Sequence, residues 1–307
     1  MPWNELSLHR WLARSLCARA LSAGLGNDAA VLARALHRPV LCVDQVIEGV
    51  HYDKGTPARL AGRKACARAL SDLAASAAAP RVVLAALRAP PSARERDLRA
   101  LLRGVDGCAR AHGATLVGGD SACAPGPLAL AVTAVGELAA PRPLSRAGAR
   151  AGDVVVATGP FGGSRLGRHL RIVPRLAEGL WLARRGAHAL MDVSDGLGID
   201  LARLARASRV RIDLECVPVH PDARKAARCD GRSALEHALC DGEDHELLAT
   251  VPPASLARLT REAPRCCPGL SVLGRVRRGA GVWVPASEDA SAERIRWDPS
   301  RGWVHGG

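Results

Sequence analysis

In residues 191–200, MDVSDGLGID, an apolar run (Ala189-Leu190-Met191) gives way to Asp192, Ser194, Asp195 and Gly196. Helical spacing then begins, with Leu197, Leu201 and Leu204 on one side. Two carboxylates and a hydroxyl therefore crowd the turn between an apolar segment and a helix start. One reading is local: Ser194 or Asp195 caps the helix by accepting one of its orphan N–H groups. The other is chemical. Close carboxylates resist joint ionisation unless a cation compensates, and Mg²⁺ prefers carboxylate oxygens and commonly bridges them to phosphates. The turn alone leaves both open.

Outward from this turn, apolar runs and helical periods alternate along the whole chain. Helices are expected over 5–21, 57–79 (Ala-rich, carrying Ser71 and Asp72) and 93–112. Strands are expected over 29–32, 40–43 (ending at Asp44), 82–87, 114–117 (ending in Gly118-Gly119-Asp120-Ser121) and 128–138. A Pro- and Gly-punctuated stretch, 141–152, containing Arg146, then interrupts every period and marks a domain boundary. Beyond it, strands are expected over 153–158, 210–214, 247–251, 272–276 and 282–284. Helices are expected over 174–185, from the MDVSDG turn to about 208, over 233–239 and over 256–262. Residues 294–305, with Trp297 and Trp303, read as a loose tail. The expected organisation is thus mixed α/β in two domains, 1–140 and 141–307.

The chain has 307 residues, 48% of them hydrophobic, and a mean hydropathy of +0.02, which suits a globular protein with ample core. No apolar run approaches the roughly 18 residues of a membrane span and no signal-peptide core precedes a cleavage site, so the expected location is the cytoplasm. Net charge is +13, but all basic residues except Lys54, Lys64 and Lys225 are arginines scattered along the chain. With one Tyr and one Phe there is little for bases to stack on, so nucleic-acid binding is not expected, whereas an anionic small molecule suits the charge. Ten cysteines include no C-x-x-C, and Cys17, Cys66 and Cys108 fall in apolar periods, as buried free thiols do.

Signature motifs exclude several classes. The chain has no G-x-x-x-x-G-K-[ST], no protein-kinase catalytic loop, no G-x-S-x-G and no H-E-x-x-H. Gly24-x-Gly26-x-x-Ala29 precedes a strand candidate, whereas a dinucleotide fingerprint follows one. What recurs instead is aspartate at element ends or in Gly turns: Asp28, Asp44, Asp120, Asp192, Asp195 and Asp244. Each alone is explicable as turn chemistry. Asp72 is not, because it lies inside an apolar helix.

Taken in order, these segments resemble the thiamine-monophosphate kinase family. The matching stretches are GND-AAVL at 26–32, VDQ…GVH at 43–51, LSDLAA at 70–75, GGDS at 118–121, LSRAGARAGD at 144–153, DVSDG at 192–196 and DGEDHEL at 241–247. They span nearly the whole chain. The resemblance implies a two-domain aminoimidazole ribonucleotide synthetase-like fold, in which the N-terminal domain binds ATP and metal and dimerises through a β-barrel. The C-terminal domain completes the active site. It implies ATP- and Mg²⁺-dependent phosphorylation of thiamine monophosphate to thiamine diphosphate by a homodimer. Position by position, Asp28, Asp44, Asp72, Asp120, Asp192 and Asp195 match metal ligands, with Asp72, Asp120 and Asp195 central to catalysis. Gly119, Asp120, Arg146 and Ser194 match nucleotide contacts, and His51, Glu243 and Trp303 match substrate contacts.

The chain departs from the family pattern in places. Asn27 and Gln45 replace usual residues, and Val43 stands where a side-chain oxygen is expected. The segment between Gly163-Ser164 and His169-Leu170-Arg171 is short by about a helix. These departures keep two alternatives in view: a superfamily relative acting on another small molecule, and a catalytically weak nucleotide-binding homologue.

Overall fold

A computed structural model describes residues 3–15, 21–23, 29–289 and 293–301. The chain divides into two compact units: residues 1–73, 78–138 and 170–172 form one, and the remainder the other. In chain order the first part comprises α1 (Glu5–Ser15), β1 (Leu21–Ala23), β2 (Val31–Leu32), β3 (Pro39–Ile47), α2 (Ala58–Ala75), β4 (Ala78–Ala89), α3 (Glu95–Ala111), β5 (Thr115–Cys123) and β6 (Ala129–Leu138). There follow β7 (Val154–Ala157), α4 (Leu176–Arg184), β8 (Ala189–Asp192), α5 (Leu197–Ser208), β9 (Arg211–Leu214), α6 (Pro221–Asp230) and α7 (Ala234–Cys240). The chain closes with β10 (Leu247–Val251), α8 (Pro253–Cys266), β11 (Ser271–Arg277), β12 (Gly281–Pro285) and β13 (Arg294–Arg296).

The first unit is built on a four-stranded sheet of order β3-β6-β4-β5, antiparallel except for the parallel β4–β5 pair. Strand β6 alternates buried and half-buried residues, as a sheet with one covered face does. On the covered face Arg68 and the Ala69 carbonyl of α2 meet Asp44 and Cys42 of β3. On the other face Leu41 and Val43 are 66% and 65% exposed. Helices α2 and α3 touch backbone to backbone: a Cβ on Gly62 would lie 1.9 Å from the Leu101 carbonyl oxygen, and one on Gly104 would lie 2.1 Å from that of Arg59.

Two expectations change here. Strand β3 continues three residues past Asp44, and β5 runs through Gly118-Gly119-Asp120-Ser121 instead of ending before them. Pairing accounts for both. Asp44, Gln45, Val46 and Ile47 have antiparallel partners on β6, and the GGDS residues pair in parallel with Leu84–Leu87 past a bulge. At Gly119 the strands come so close that a Cβ would stand 1.9 Å from the Ala85 carbonyl oxygen. Both glycines are thus strand residues, and Gly119 permits the close approach.

The second unit holds a seven-stranded mixed sheet of order β13-β12-β9-β11-β7-β10-β8. Strands β7, β8 and β10 are buried at every position, which is why they read as apolar runs interrupted only by Asp192 and Thr250. Leu197, Leu201 and Leu204 of α5 join the core with Met191, Phe161 and Leu248. The expected loose tail is partly ordered: β13 pairs with β12, and Trp297 is buried against Gly198, where a Cβ would come 2.3 Å from the indole. Helix α6 was not expected from the sequence. The short segment after Ser164 forms two 3-10 turns, Ser164–Leu166 and Arg168–Leu170.

Replacing Gly104 with Ala should destabilise the chain, because the overpacking cost of about 1–3 kcal/mol exceeds the roughly 1 kcal/mol gained in helix propensity. Urea unfolding monitored by circular dichroism reads this; an unchanged or raised midpoint would refute the tight α2–α3 contact.

Candidate active site

At the end of β8 the chain must leave a fully buried strand and enter α5. Gly196, at φ +119°, makes that corner and occupies the helix N-cap position without any side-chain cap. Neither Ser194 nor Asp195 caps α5, so the local reading of the turn fails. The cap works in the opposite direction. Asp200, in the first turn of α5 and almost fully buried, reaches back so that its Oδ2 accepts the N–H groups of Ser194 and Asp195, each at 3.0 Å. Arg203, one turn further on, donates to Asp200 Oδ1 at 2.7 Å and to Asp195 Oδ2 at 2.5 Å. Burial, with added repulsion from Asp195 and Asp192, pushes the Asp200 carboxyl up to about 6 against the backbone and Arg203 contacts.

A second acidic turn, 241–246, lies against the first. Main-chain bonds join them: Glu243 N–H to the Ser194 carbonyl at 2.7 Å, His245 N–H to that of Val193 at 2.8 Å, and Val193 N–H to that of Glu246 at 2.8 Å. Glu243 and His245 adopt φ of +58° and +52°, an uncommon conformation for non-glycine residues. It aims the buried His245 ring at Asp192, with Nδ1 3.2 Å from Oδ2, while Nε2 lies 3.8 Å from Glu243 Oε2. Gly242 is required here, since a Cβ would sit 2.6 Å from the Ser194 carbonyl oxygen.

The remaining acids of this turn hold the Gly159–Ser164 loop. Asp244 accepts the Gly162 N–H at 3.0 Å and an Arg168 nitrogen at 2.9 Å. Asp241 accepts the Gly163 N–H at 2.8 Å, and Glu246 takes the Thr158 hydroxyl at 2.6 Å and the Arg175 fork. Arg168 comes from the shortened segment, which is thus tied into the loop it borders. Burial pushes the Asp244 carboxyl up to about 7, although Arg168 and the Gly162 N–H oppose it.

In the second unit, therefore, Asp192, Ser194, Asp195 and Glu243 come together on two paired turns. Arg146 meets α5 from its other end. It opens the 3-10 turn Arg146–Gly148, and its carbonyl accepts the Ser208 hydroxyl at the far end of α5, a helix length of about 18 Å from the turn. Its side chain is exposed.

In the first unit, Asp44 is clasped by Arg68, with Nε 2.8 Å from Oδ2 and Nη2 3.1 Å from Oδ1. The register places Asp44, Val132, Ala85 and Gly119 in one row across the sheet. Asp44 and Gly119 thus stand on opposite edge strands, about 14 Å apart at the usual strand spacing. Asp120 belongs to the next row, with Gln45 and Ala86, and faces the open side, away from Arg68. Val43 also faces that side, so its replacement of an oxygen-bearing residue removes no side-chain oxygen from the face that carries Asp44. Asp72 is half-buried on α2. His51 is buried; its Nδ1 accepts the Ile47 N–H at 3.1 Å, and the fully buried Lys64 ammonium donates to its carbonyl. Asp28 and Trp303 lie outside the described residues. Among the described residues, no three His, Cys, Asp or Glu side chains are grouped so as to hold a metal ion by themselves.

Sequence reasoning missed Asp200, Arg203, Lys64, Arg68, Arg168 and Arg175. The Asp200–Arg203 spacing on one helix face was a usable signal. The pairings of Arg168 and Arg175 with the 241–246 turn span more than 70 residues and left none.

Comparison with known proteins shows the family to which the chain belongs. Residues 26–138 match the family described as AIR synthase related protein, N-terminal domain. The chain is 34% identical over 299 residues to thiamine-monophosphate kinase of Rhodopirellula baltica, covering 93% of this chain and 92% of that one. The crystal structure of thiamine-monophosphate kinase from Stenotrophomonas maltophilia superposes with a TM-score of 0.77 at 33% identity, covering 91% of this chain and 96% of that one. A structure of AaThiL complexed with AMPPCP and TMP superposes with a TM-score of 0.73 at 28% identity, covering 84% and 86%.

Asp244 carries a pH signature. Its folded value near 7 exceeds the roughly 3.9 of an unfolded chain, so between these values the folded state holds a proton the unfolded state has released. The contribution is therefore present below about pH 4 and lost as pH rises through about 7. Urea unfolding of the wild type and of Asp244→Asn at both ends of this window should show the wild type losing on the order of 2–4 kcal/mol relative to the variant. A pH-independent difference would refute the raised value.

Proposed function

Since this chain belongs to the thiamine-monophosphate kinase family, we propose that it transfers the γ-phosphoryl group of ATP to the phosphate of thiamine monophosphate, giving thiamine diphosphate and ADP. The observation that carries this reading is the pair of braced acidic turns, in which Asp192, Ser194, Asp195 and Glu243 are assembled within a chain that matches these kinases over nearly its whole length. AaThiL, a structural neighbour, binds an ATP analogue and TMP together.

The acceptor is a phosphate oxygen, already anionic near neutral pH, so transfer needs no strong general base. The work left to the protein is alignment of donor and acceptor and compensation of charge. We assign ATP and metal binding to residues 1–140 and completion of the site to 141–307. Asp28, Asp44, Asp72, Asp120, Asp192 and Asp195 are the proposed ligands of several Mg²⁺ ions, Asp44 and Asp120 serving different ones because they face opposite sides of one sheet, with Asp72, Asp120 and Asp195 closest to the chemistry. Gly119, Asp120, Arg146 and Ser194 are assigned to the nucleotide, and His51, Glu243 and Trp303 to the thiamine monophosphate. Trp303 supplies an aromatic face for a thiamine ring.

The donor set suits Mg²⁺. All six side chains are carboxylates, and Mg²⁺ takes one or two of these together with water and phosphate oxygens instead of a complete protein cage. A site in which no three side chains among the described residues cluster is therefore compatible with a metal that arrives with the nucleotide. When bound, Mg²⁺ would neutralise charge on the transferring phosphoryl group. Arg203 on Asp195 and Arg68 on Asp44 keep these carboxylates compensated and oriented in its absence.

A homodimer and a cytoplasmic location belong to the same proposal. The open face of the four-stranded sheet exposes Leu41 and Val43 on edge strand β3. A second copy set against that face would cover them and convert two open sheets into a barrel without free edges. No helix among the described residues is long and apolar enough to cross a membrane.

With ATP, Mg²⁺ and thiamine monophosphate, chromatography should detect thiamine diphosphate. Asp72→Asn and Asp120→Asn should each lower kcat roughly 10²–10³-fold with unchanged thermal melting; near-normal turnover would remove these residues from the site. The double substitution Leu41→Lys, Val43→Lys should yield a folded monomer by light scattering. A persisting dimer would place the interface elsewhere.

A further inference from the structure

The α2–α3 contact has a chemical consequence that is independent of the kinase reading. Gly62 and Gly104 let the two helices meet backbone to backbone. The strands that follow these helices, β4 and β5, are parallel and each reverses the direction of its helix, so the helices run side by side in one direction. Four residues beyond each glycine, one turn on and on the same face, stand Cys66 and Cys108. Cys66 is fully buried and Cys108 is 5% exposed. Neither is in a disulfide, and each thiol shifts the acidity of the other.

The pair is electrically uneven. The neighbouring Cys66 lowers the Cys108 thiol well below its ordinary value, with His112 and Arg63 adding to the effect, whereas Cys108 and burial push Cys66 up. His112 lies one turn on from Cys108, with Nδ1 2.8 Å from its carbonyl oxygen and 3.9 Å from its sulfur. Contact with Cys108 raises this imidazole, favouring the imidazolium beside the sulfur. Arg63 sits on α2, and Asp106 is the carboxylate near Cys66; Arg110 neutralises it. A thiol of lowered value beside one of raised value has the division of labour found in reactive dithiols.

We propose that Cys66 and Cys108 form an oxidisable dithiol, in which a peroxide converts the α2–α3 contact into a disulfide. The Cys108 thiolate attacks one peroxide oxygen; the S–O bond forms as the O–O bond breaks, and the leaving hydroxide takes a proton to become water. The Cys66 sulfur then attacks the Cys108 sulfenic acid. The S–S bond forms, the S–O bond breaks, and hydroxide leaves with the Cys66 proton as a second water. In sum, two thiols and one hydrogen peroxide give one disulfide and two waters. Peroxide is small and uncharged, as access to a thiol only 5% exposed requires. The product ties α3 to α2 six residues before Asp72, so it acts on a helix assigned to the site.

Peptide mapping of the full chain tests this. The reduced protein is treated with hydrogen peroxide, alkylated under denaturing conditions and digested with trypsin. Cys66 then lies in ACAR (65–68) and Cys108 in GVDGCAR (104–110). The expected product is these two peptides joined, with the melting temperature of the intact protein raised by several degrees. His112→Asn should slow loss of the Cys108 thiol about tenfold; an unchanged rate would remove His112 from the site. In Cys66→Ser, a sulfenic acid trappable by a cyclic dione should accumulate at Cys108. The proposal is overturned if both thiols stay alkylatable while exposed Cys123, Cys216, Cys229 and Cys266 oxidise. It is equally overturned if Cys108 proceeds to the sulfinic acid without joining Cys66.

Discussion

Two acidic turns that would repel each other in isolation are held side by side by their own main chains. The peptide groups of 193–194 and 243–246 exchange three hydrogen bonds, and backbone bonds of this kind do not depend on the charge of the side chains they carry. The side chains then follow. Asp200 takes the two N–H groups that the turn before α5 leaves over, and its burial means that any displacement exposes unpaired donors and an uncompensated acid. The placement of Asp192, Ser194, Asp195 and Glu243, and the anchoring of the Gly159–Ser164 loop by Asp241, Asp244 and Glu246, all depend on this pairing.

The arginine excess has a structural use that composition hides. Read as a bulk number, a net charge of +13 suggests compositional bias or a general attraction for anions. In the folded chain, individual arginines sit on particular acids: Arg68 on Asp44, Arg203 on Asp195 and Asp200, Arg168 on Asp244, and Arg175 on Glu246. A planar fork suits this task better than an ammonium, because it satisfies both carboxylate oxygens while staying charged when partly buried. Lys64, by contrast, is fully buried and serves a carbonyl, that of His51.

Much of the architecture was legible because its signal is local. The runs of β7, β8 and β10 are apolar except at Asp192 and Thr250 since both faces of those strands are covered, and α5 shows its leucines at helical spacing. Boundaries were harder where a neighbour decides them. Strand β5 continues through two glycines because β4 offers it a parallel partner, and β3 passes Asp44 because β6 does the same. Helix α6 has Pro221 at its start and Gly231 after its end, both readable signs. Its interior, however, is so polar that only Ala223 is buried, and no apolar period announced it.

By itself, then, the sequence determined most of the strands and helices, α6 excepted, and it carried the motifs that mark the family. Periodicity and turn chemistry act between residues a few positions apart, and the ordered motifs carried the family with them. The tertiary structure decided what each acid touches. It showed that Asp200, not Ser194 or Asp195, closes the turn before α5, that Asp44 and Asp120 face opposite sides of one sheet, and that Arg146 stands a helix length from Ser194. It also brought together two cysteines 42 positions apart. These outcomes rest on strand register and helix crossing, which are set by contacts between segments remote in the chain, and no local pattern encodes them.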